Sequence, residues 1–449
     1  MNQNQIWSDR DLKVLWHPCT QMKEHEKHPP IPIRRAQGVW LEDFEGNRYI
    51  DAISSWWVNL FGHAHPKMNA ALSHQAETLE HVLLAGFTHE PAIRLAEALI
   101  QKAPLGLDRC FFADNGSSAV EVALKMSFHY WRNQGALEKK AFVTLTNSYH
   151  GETLGALAIG DVGLYREIYA PLLMERYVVE SPDEFHRPED ISPEAFARQR
   201  FEAMEGLLAR EGHKIAAVII EPLVQCAGGM RMYDKSYLTL LRDACDRHQV
   251  HLIADEIAVG FGRTGTFFAS EQGPICPDFL CLSKGLTGGY LPLSAVLTTA
   301  QVFEAFYAEY HEGRAFLHSH SYTGNPLACR MALASLELFD EEQTLEKNRH
   351  LASLMADAVS DLKTHPHVAE VRQKGMILAL EMALDGPSRT PYPTHERRGQ
   401  KAYREALRHG ALLRPLGDVL YFMPPYVIKP SEIEQMAHAA RMAIQHATS

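Results

Sequence analysis

Between about residues 105 and 300, short apolar runs alternate with longer stretches whose apolar positions recur at helical spacing. The runs Arg109 to Ala113, Ala141 to Leu145, Ile215 to Ile220, Leu252 to Asp255 and Phe279 to Leu282 are too short for helices and lack polar alternation. They read as strands buried on both faces, which calls for a largely parallel sheet covered by helices, an α/β fold. After Gly116, Val120, Leu124, Ser127/Phe128 and Trp131 share one helical face, with Glu121 and Lys125 expected to pair outside. A second helix buries Tyr237, Leu241, Ala244/Cys245 and His248 and turns Arg242, Asp243, Asp246 and Arg247 outward. Right-handed crossovers place the carboxyl ends of the strands, and with them Glu221, Asp255 and Lys284, at the edge where such sheets bind ligands.

A chain of 449 residues exceeds the usual single core. The expected division is a large domain at 76–330 and a smaller α+β domain built from both termini, 1–75 and 331–449. Ser431-Glu432-Ile433-Glu434 after Pro430 reads as a capping box opening the last helix. Asp385 to Gly399 and Ser181 to Pro193 read as surface loops. A net charge of −11 without a dense basic run argues against nucleic acid as a partner. Seven scattered cysteines without C-x-x-C spacing, a polar start and no bilayer-length apolar run suggest a cytoplasmic protein without a membrane span.

Lys284, in Ser283-Lys284-Gly285, and Asp255 each follow a buried strand. An amine and a carboxylate delivered to one pocket suit pyridoxal phosphate: the lysine can bond the aldehyde, and the carboxylate can keep the pyridine nitrogen protonated. Asp114-Asn115-Gly116-Ser117-Ser118, at a strand-to-helix junction, offers free N–H groups and a hydroxyl to a phosphate, or is simply a helix cap. Tyr149-His150-Gly151 offers an aromatic face at the same edge, or ordinary packing. Gly260-Phe261-Gly262-Arg263-Thr264-Gly265 fits the dinucleotide template of a nicotinamide oxidoreductase, but no helix opens behind it and Asp255-Glu256 precede it; it reads as a glycine-rich turn presenting Arg263. His63-Ala64-His65 and His318-Ser319-His320 have no Cys or carboxylate at ligand spacing, and no metal is expected.

Taken together, Ile219-Ile220-Glu221-Pro222, Ile253-Ala254-Asp255-Glu256-Ile257, the glycine-rich turn and Ser283-Lys284-Gly285-Leu286 resemble the class III aminotransferases, a fold-type I family of pyridoxal-phosphate enzymes. Narrower segments resemble its biotin-pathway branch. These are Trp16-His17-Pro18, Ser54-Ser55-Trp56-Trp57, Ala227 to Tyr233, Leu413-Arg414-Pro415-Leu416-Gly417 and Tyr421 to Tyr426.

The resemblance implies that Lys284 bonds the cofactor, Asp255 serves its ring nitrogen, Gly116 and Ser117 hold its phosphate, and Tyr149 stacks on its ring. It also implies that Ser321 reaches the phosphate of a neighbouring subunit, hence a homodimer with shared sites. Arg414 would hold a substrate carboxylate, while Trp56, Trp57 and Tyr421 line the channel leading to it. The implied reaction converts 8-amino-7-oxononanoate to 7,8-diaminononanoate with S-adenosylmethionine as amino donor. Two positions depart from the branch, Cys19 where a tyrosine is usual and Glu152 where an aspartate is usual, and both fall where the donor is expected, leaving lysine as an alternative donor. Ornithine, acetylornithine or 4-aminobutyrate transamination is the nearest other reading, a nicotinamide-dependent oxidoreductase a distant one, and a non-catalytic binding protein a further alternative.

Overall fold

The computed structural model describes residues 2–449, and its centre is a seven-stranded sheet. In chain order the strands are β1 (Leu107–Ala113), β2 (Ala141–Leu145), β3 (Tyr177–Val179), β4 (Ile215–Ile220), β5 (His251–Asp255), β6 (Phe279–Leu282) and β7 (Ser294–Thr299). Their spatial order is β1-β7-β6-β5-β4-β2-β3. Only β7 runs antiparallel to its neighbours, so β1, β2, β4, β5 and β6 all end at one edge. Every residue of β4, β5 and β6 is buried, because helices cover both faces and leave no side for water.

Helix α1 (Gly116–Asn133) follows β1 almost at once and buries Val120, Leu124 and Ser127. Phe128 and Trp131 are partly buried against the same cluster. The Glu121–Lys125 pair does not form: Glu121 Oε1 accepts the N–H groups of Gly155 and Ala156 at 2.7 and 3.1 Å, and Lys125 Nζ meets His318 at 2.8 Å. Unsatisfied donors at the start of the next short helix, Leu154–Ile159, outcompete an exposed ion pair. Helix α2 (Ser236–Arg247) buries Tyr237, Leu241, Ala244 and Cys245. Arg242 leaves the outward face and reaches Asp278 at 2.8 Å, while His248, just past the helix, is only partly buried and contacts Glu205. The long Arg242 side chain reaches along the surface to a partly buried acid that periodicity cannot reveal.

Both termini form three-stranded antiparallel sheets, at Ile33–Gln37, Trp40–Asp43 and Arg48–Ile50, and at Val368–Lys374, Ile377–Met382 and Val419–Phe422. They meet where Ile50 N–H donates to Gly410 O and Leu412 N–H to Ile50 O, each at 2.8 Å. The last helix, Pro430–Thr448, starts two residues earlier than the capping-box reading requires: Lys429 caps it in place of Ser431, and Glu432 Oε2 accepts the Lys429 N–H at 2.8 Å. Proline at the first helical position has no N–H to cap, so the boundary moves ahead of Ser431. Asp385 to Gly399 is largely loop, with a short turn at Thr394–Glu396, and its end enters the helix Arg398–Arg408. Among the described residues no helix is long and apolar enough to cross a membrane.

Candidate active site

The carboxyl edge of the sheet encloses a cavity of about 210 Å3, lined among others by Gly116, Ser117, Tyr149, Glu221, Asp255 and Lys284. Asp255 ends β5 with its side chain buried; Oδ2 lies 2.8 Å from His150 Nδ1 and Oδ1 accepts the Ile257 N–H at 3.1 Å. Lys284 opens the tight turn after β6 with a φ of 46°, a left-handed conformation that costs a non-glycine residue roughly 1–2 kcal/mol. Its Nζ lies 4.8 Å from the Trp57 ring centroid. Burial lowers the Lys284 pKa, and Asp255, Cys226 and Glu221 partly oppose that effect. Glu221, just past β4, accepts the Tyr149 N–H at 2.9 Å and the Cys226 N–H at 3.1 Å. Burial, and then the charge of Asp255, push its pKa up to about 8.

At the opposite end of the cavity, Asn115 Oδ1 caps the Ser118 N–H at 3.0 Å. The Gly116 and Ser117 N–H groups at the start of the 18-residue α1 keep no partner among the described residues and border the cavity. Gly151, with a φ of 124°, closes over them: a Cβ there would fall 1.9 Å from Ser117 Oγ. Free donors, a hydroxyl and a positive helix end make a phosphate cradle, and a buried carboxylate and an amine stand across the cavity from it. The residues present therefore fit pyridoxal phosphate.

The mouth is built from distant segments. Ser54, Ser55, Trp56 and Trp57 all have positive φ, at 52°, 46°, 74° and 74°, making a left-handed turn. It sets Trp57 in the cavity wall and places Trp56 under the Arg414 guanidinium, 4.4 Å from the ring centroid. Tyr149 OH donates to Glu152 Oε1 at 2.9 Å, and Cys19 Sγ lies 3.8 Å from the same oxygen. The two positions that depart from the family pattern thus touch each other. Burial, followed by Glu152, raises the Cys19 pKa, so the thiol stays protonated at neutral pH. Cys19 and Arg414 also border a second cavity of about 440 Å3, which holds Arg404, Tyr403, Leu412 and the Glu24–Arg397 ion pair.

Of the residues read from the sequence, Lys284, Asp255, Gly116, Ser117, Tyr149 and Trp57 line one cavity. Trp56 and Arg414 stack on each other beside it. Tyr421 does not line the channel: it is 1% exposed and lies behind Trp57, whose indole N–H donates to its hydroxyl at 3.0 Å. Ser321 sits in an exposed turn and is not among the residues lining this chain's cavity. His150 and Glu221 carry more of the site than sequence reading gave them; His150 stood within a quoted motif, but nothing in its spacing reveals the bond to Asp255.

The other motifs resolve into structure. No helix opens after the glycine-rich turn. Arg263 is 1% exposed and donates to the carbonyls of Met423, Pro424, Trp57 and Asn59 at 2.9–3.4 Å. His63 bonds Asp51 at 2.9 Å, and His320 lies 3.3 Å from Asp114.

The family described as Aminotransferase class-III matches residues 21–444. The chain is 47% identical over 441 residues to the adenosylmethionine-8-amino-7-oxononanoate aminotransferase of Helicobacter pylori, covering 97% of each chain. It is 42% identical to that of Geobacter sulfurreducens, covering 99% of this chain and 98% of that one. Among solved structures, the same-named enzyme of Methanocaldococcus jannaschii superposes with a TM-score of 0.93 at 35% identity, covering 98% of this chain and 99% of that one. An omega transaminase of Pseudomonas jessenii in complex with PMP does so with a TM-score of 0.93 at 30% identity, covering 98% of both chains.

Proposed function

The chain belongs to the class III aminotransferases, and from that premise we propose that it aminates 8-amino-7-oxononanoate to 7,8-diaminononanoate in biotin synthesis, with S-adenosylmethionine as donor. Pyridoxal phosphate is the cofactor; when bound, it supplies a ring that draws electrons from a carbon losing its proton. The observation that carries the reading is a cavity in which Asp255 and Lys284 stand together beside Trp57, while the adjacent Trp56 stacks on Arg414.

In this reading the Gly116 and Ser117 N–H groups hold the phosphate, and Tyr149 packs against the ring. Asp255, oriented by His150, keeps a proton on the ring nitrogen. Lys284 Nζ, its basicity reduced by burial, takes the donor's α-proton and later returns one to the acceptor. Trp57 excludes water around that amine. Arg414 holds the acceptor's carboxylate, for which a planar guanidinium with two parallel donors is suited, and Trp56 packs the chain leading to it.

In the same reading Ser321, exposed in its turn, serves a second copy of the chain. Large apolar side chains left more than half exposed, Phe87, Leu164, Tyr310 and Leu317 among them, support a homodimer with shared sites. Seven unpaired cysteines suit the reducing cytoplasm.

The test is the visible absorbance of the cofactor-loaded protein on adding 7,8-diaminononanoate, which drives the acceptor half-reaction backwards. The cofactor band is expected to shift. A band that responds to ornithine or 4-aminobutyrate but not to the diamine would assign another ω-amine and overturn the biotin reading.

A further inference from the structure

The Ser54–Trp57 turn is the strangest backbone in the molecule. Four consecutive non-glycine residues hold left-handed angles, a conformation that crowds each Cβ against the following carbonyl and is rarely sustained by more than one residue. Such a turn persists only where its surroundings over-determine it. The surroundings converge on Asp51, which is completely buried. Its Oδ1 accepts the Ser55 N–H at 2.8 Å, and its Oδ2 accepts the Ser55 hydroxyl at 2.7 Å. The ring of His63 holds the same Oδ2 at 2.9 Å and is itself approached by Asn59 Nδ2 at 3.3 Å. On the far side, Ser54 Oγ donates to Met423 O at 2.7 Å, and Arg263 donates to the Trp57 carbonyl at 3.3 Å. Asp51 borders neither cavity. What it grips is the residue immediately before the two tryptophans that face Lys284 and Arg414.

We propose that Asp51, fixed by His63, is a positioning residue that holds the strained Trp56–Trp57 turn in shape and thereby sets affinity for the amino acceptor, without touching it. The inference rests on the acceptor reading above and deepens it. A carboxylate is the group the place requires, because two oxygens must accept three donors at once. An amide in its place would set an N–H against one of them.

The first measurement is steady-state kinetics of cofactor-loaded Asp51→Asn beside wild type, varying 8-amino-7-oxononanoate and S-adenosylmethionine in turn. The acceptor KM is expected to rise roughly tenfold, with kcat and the donor KM staying within about twofold. Asp51→Asn/Ser55→Gly is the decisive variant: glycine adopts left-handed angles without steric cost, so it should recover most of the acceptor affinity. A purely structural role for Asp51 predicts further loss instead. An unchanged acceptor KM in Asp51→Asn, equal losses for donor and acceptor, or a double variant no better than the single one overturns the proposal. If Asp51→Asn does not fold, Ser55→Ala removes only the hydroxyl bond and should raise the acceptor KM roughly threefold; no rise overturns the proposal equally.

Acrylamide quenching of tryptophan fluorescence separates this proposal from the functional reading, since it needs no substrate. Asp51→Asn should quench more readily than wild type, and the difference should vanish in a Trp56→Phe/Trp57→Phe background. If wild type aminates only some other acceptor, the biotin reading falls while this signal still decides the fate of the clamp.

Discussion

The floor of the cavity and its mouth are made in different ways. Glu221, Asp255 and Lys284 stand at or just past the ends of three strands of one sheet, and every residue of those strands is buried. Cys19, Trp56, Glu152 and Arg414 come from a front segment, a strained turn, a loop and the C-terminal segment, and they meet half-exposed. A floor held by backbone register is suited to steps common to both half-reactions. A mouth assembled from separate segments can change one substrate's fit without disturbing the other's. Variants at the floor should therefore damage everything, and variants at the mouth should damage one substrate at a time.

The largest effect should come from Lys284→Ala. The substitution removes the group that moves the proton in both halves, so turnover should fall about a thousandfold or more with donor and acceptor alike, while the fold is kept. A variant that loses one half-reaction and keeps the other would break the division between floor and mouth.

Next in size is a pH effect on stability, seated behind the floor. Glu256 follows Asp255 but faces the other way, where Oε2 accepts the Ala269 N–H at 2.6 Å and Oε1 accepts the Ser270 N–H at 2.7 Å and its hydroxyl at 2.5 Å. Burial pushes its pKa up to about 7 from 4.5, and these bonds only partly oppose the shift. A carboxyl group whose pKa is raised on folding contributes stability that is complete below 4.5 and is lost as pH rises through 7. Across that window the loss amounts to at most about 3 kcal/mol. Melting temperature should therefore fall between pH 5 and 8 more steeply in wild type than in Glu256→Gln. The glutamine variant should be less stable at low pH, where its amide faces the Ala269 N–H. Parallel slopes would remove Glu256 as the source.

Arg414→Ala tests the mouth directly. Losing charge-assisted bonds to a carboxylate should raise the KM for 8-amino-7-oxononanoate about 10- to 100-fold, with a much smaller change for the donor. Equal changes for both substrates would place Arg414 with the floor.

The same contrast explains what the sequence revealed. The floor was legible because short apolar runs ending in Glu221, Asp255 and Lys284 report strand burial and topology together. The phosphate cradle was legible at Gly116 and Ser117, where a strand runs straight into a helix. Periodicity reports burial at one position but not pairing across space. It therefore missed the His150–Asp255 bond, the exchange of Lys125 for backbone donors at Glu121, and the buried place of Tyr421 behind Trp57. The mouth could be read only through resemblance, because the left-handed turn at Ser54–Trp57 breaks the local preferences of its own residues and exists through Asp51, Arg263 and Met423.

The smallest effect, and the sharpest for the mouth, concerns Cys19 and Glu152. The pattern that the sequence resembles has a long residue, tyrosine, and a short one, aspartate, at these two positions, and this chain sets a short one, Cys19, against a long one, Glu152. With Cys19 Sγ already 3.8 Å from Glu152 Oε1, a phenol at position 19 would overfill the gap and compete with Tyr149 OH for the same oxygen. Cys19→Tyr should therefore raise the donor KM a few-fold, leaving the acceptor KM and kcat unchanged, and Glu152→Asp alone should do the same by leaving a void. Combined, the two substitutions should restore donor affinity, because contacting residues couple by about 0.5–3 kcal/mol instead of adding. The cycle, run once with S-adenosylmethionine and once with lysine, identifies the donor as the one whose KM shows that coupling. Additive effects with both donors would mean that position 19 takes no part in choosing between them.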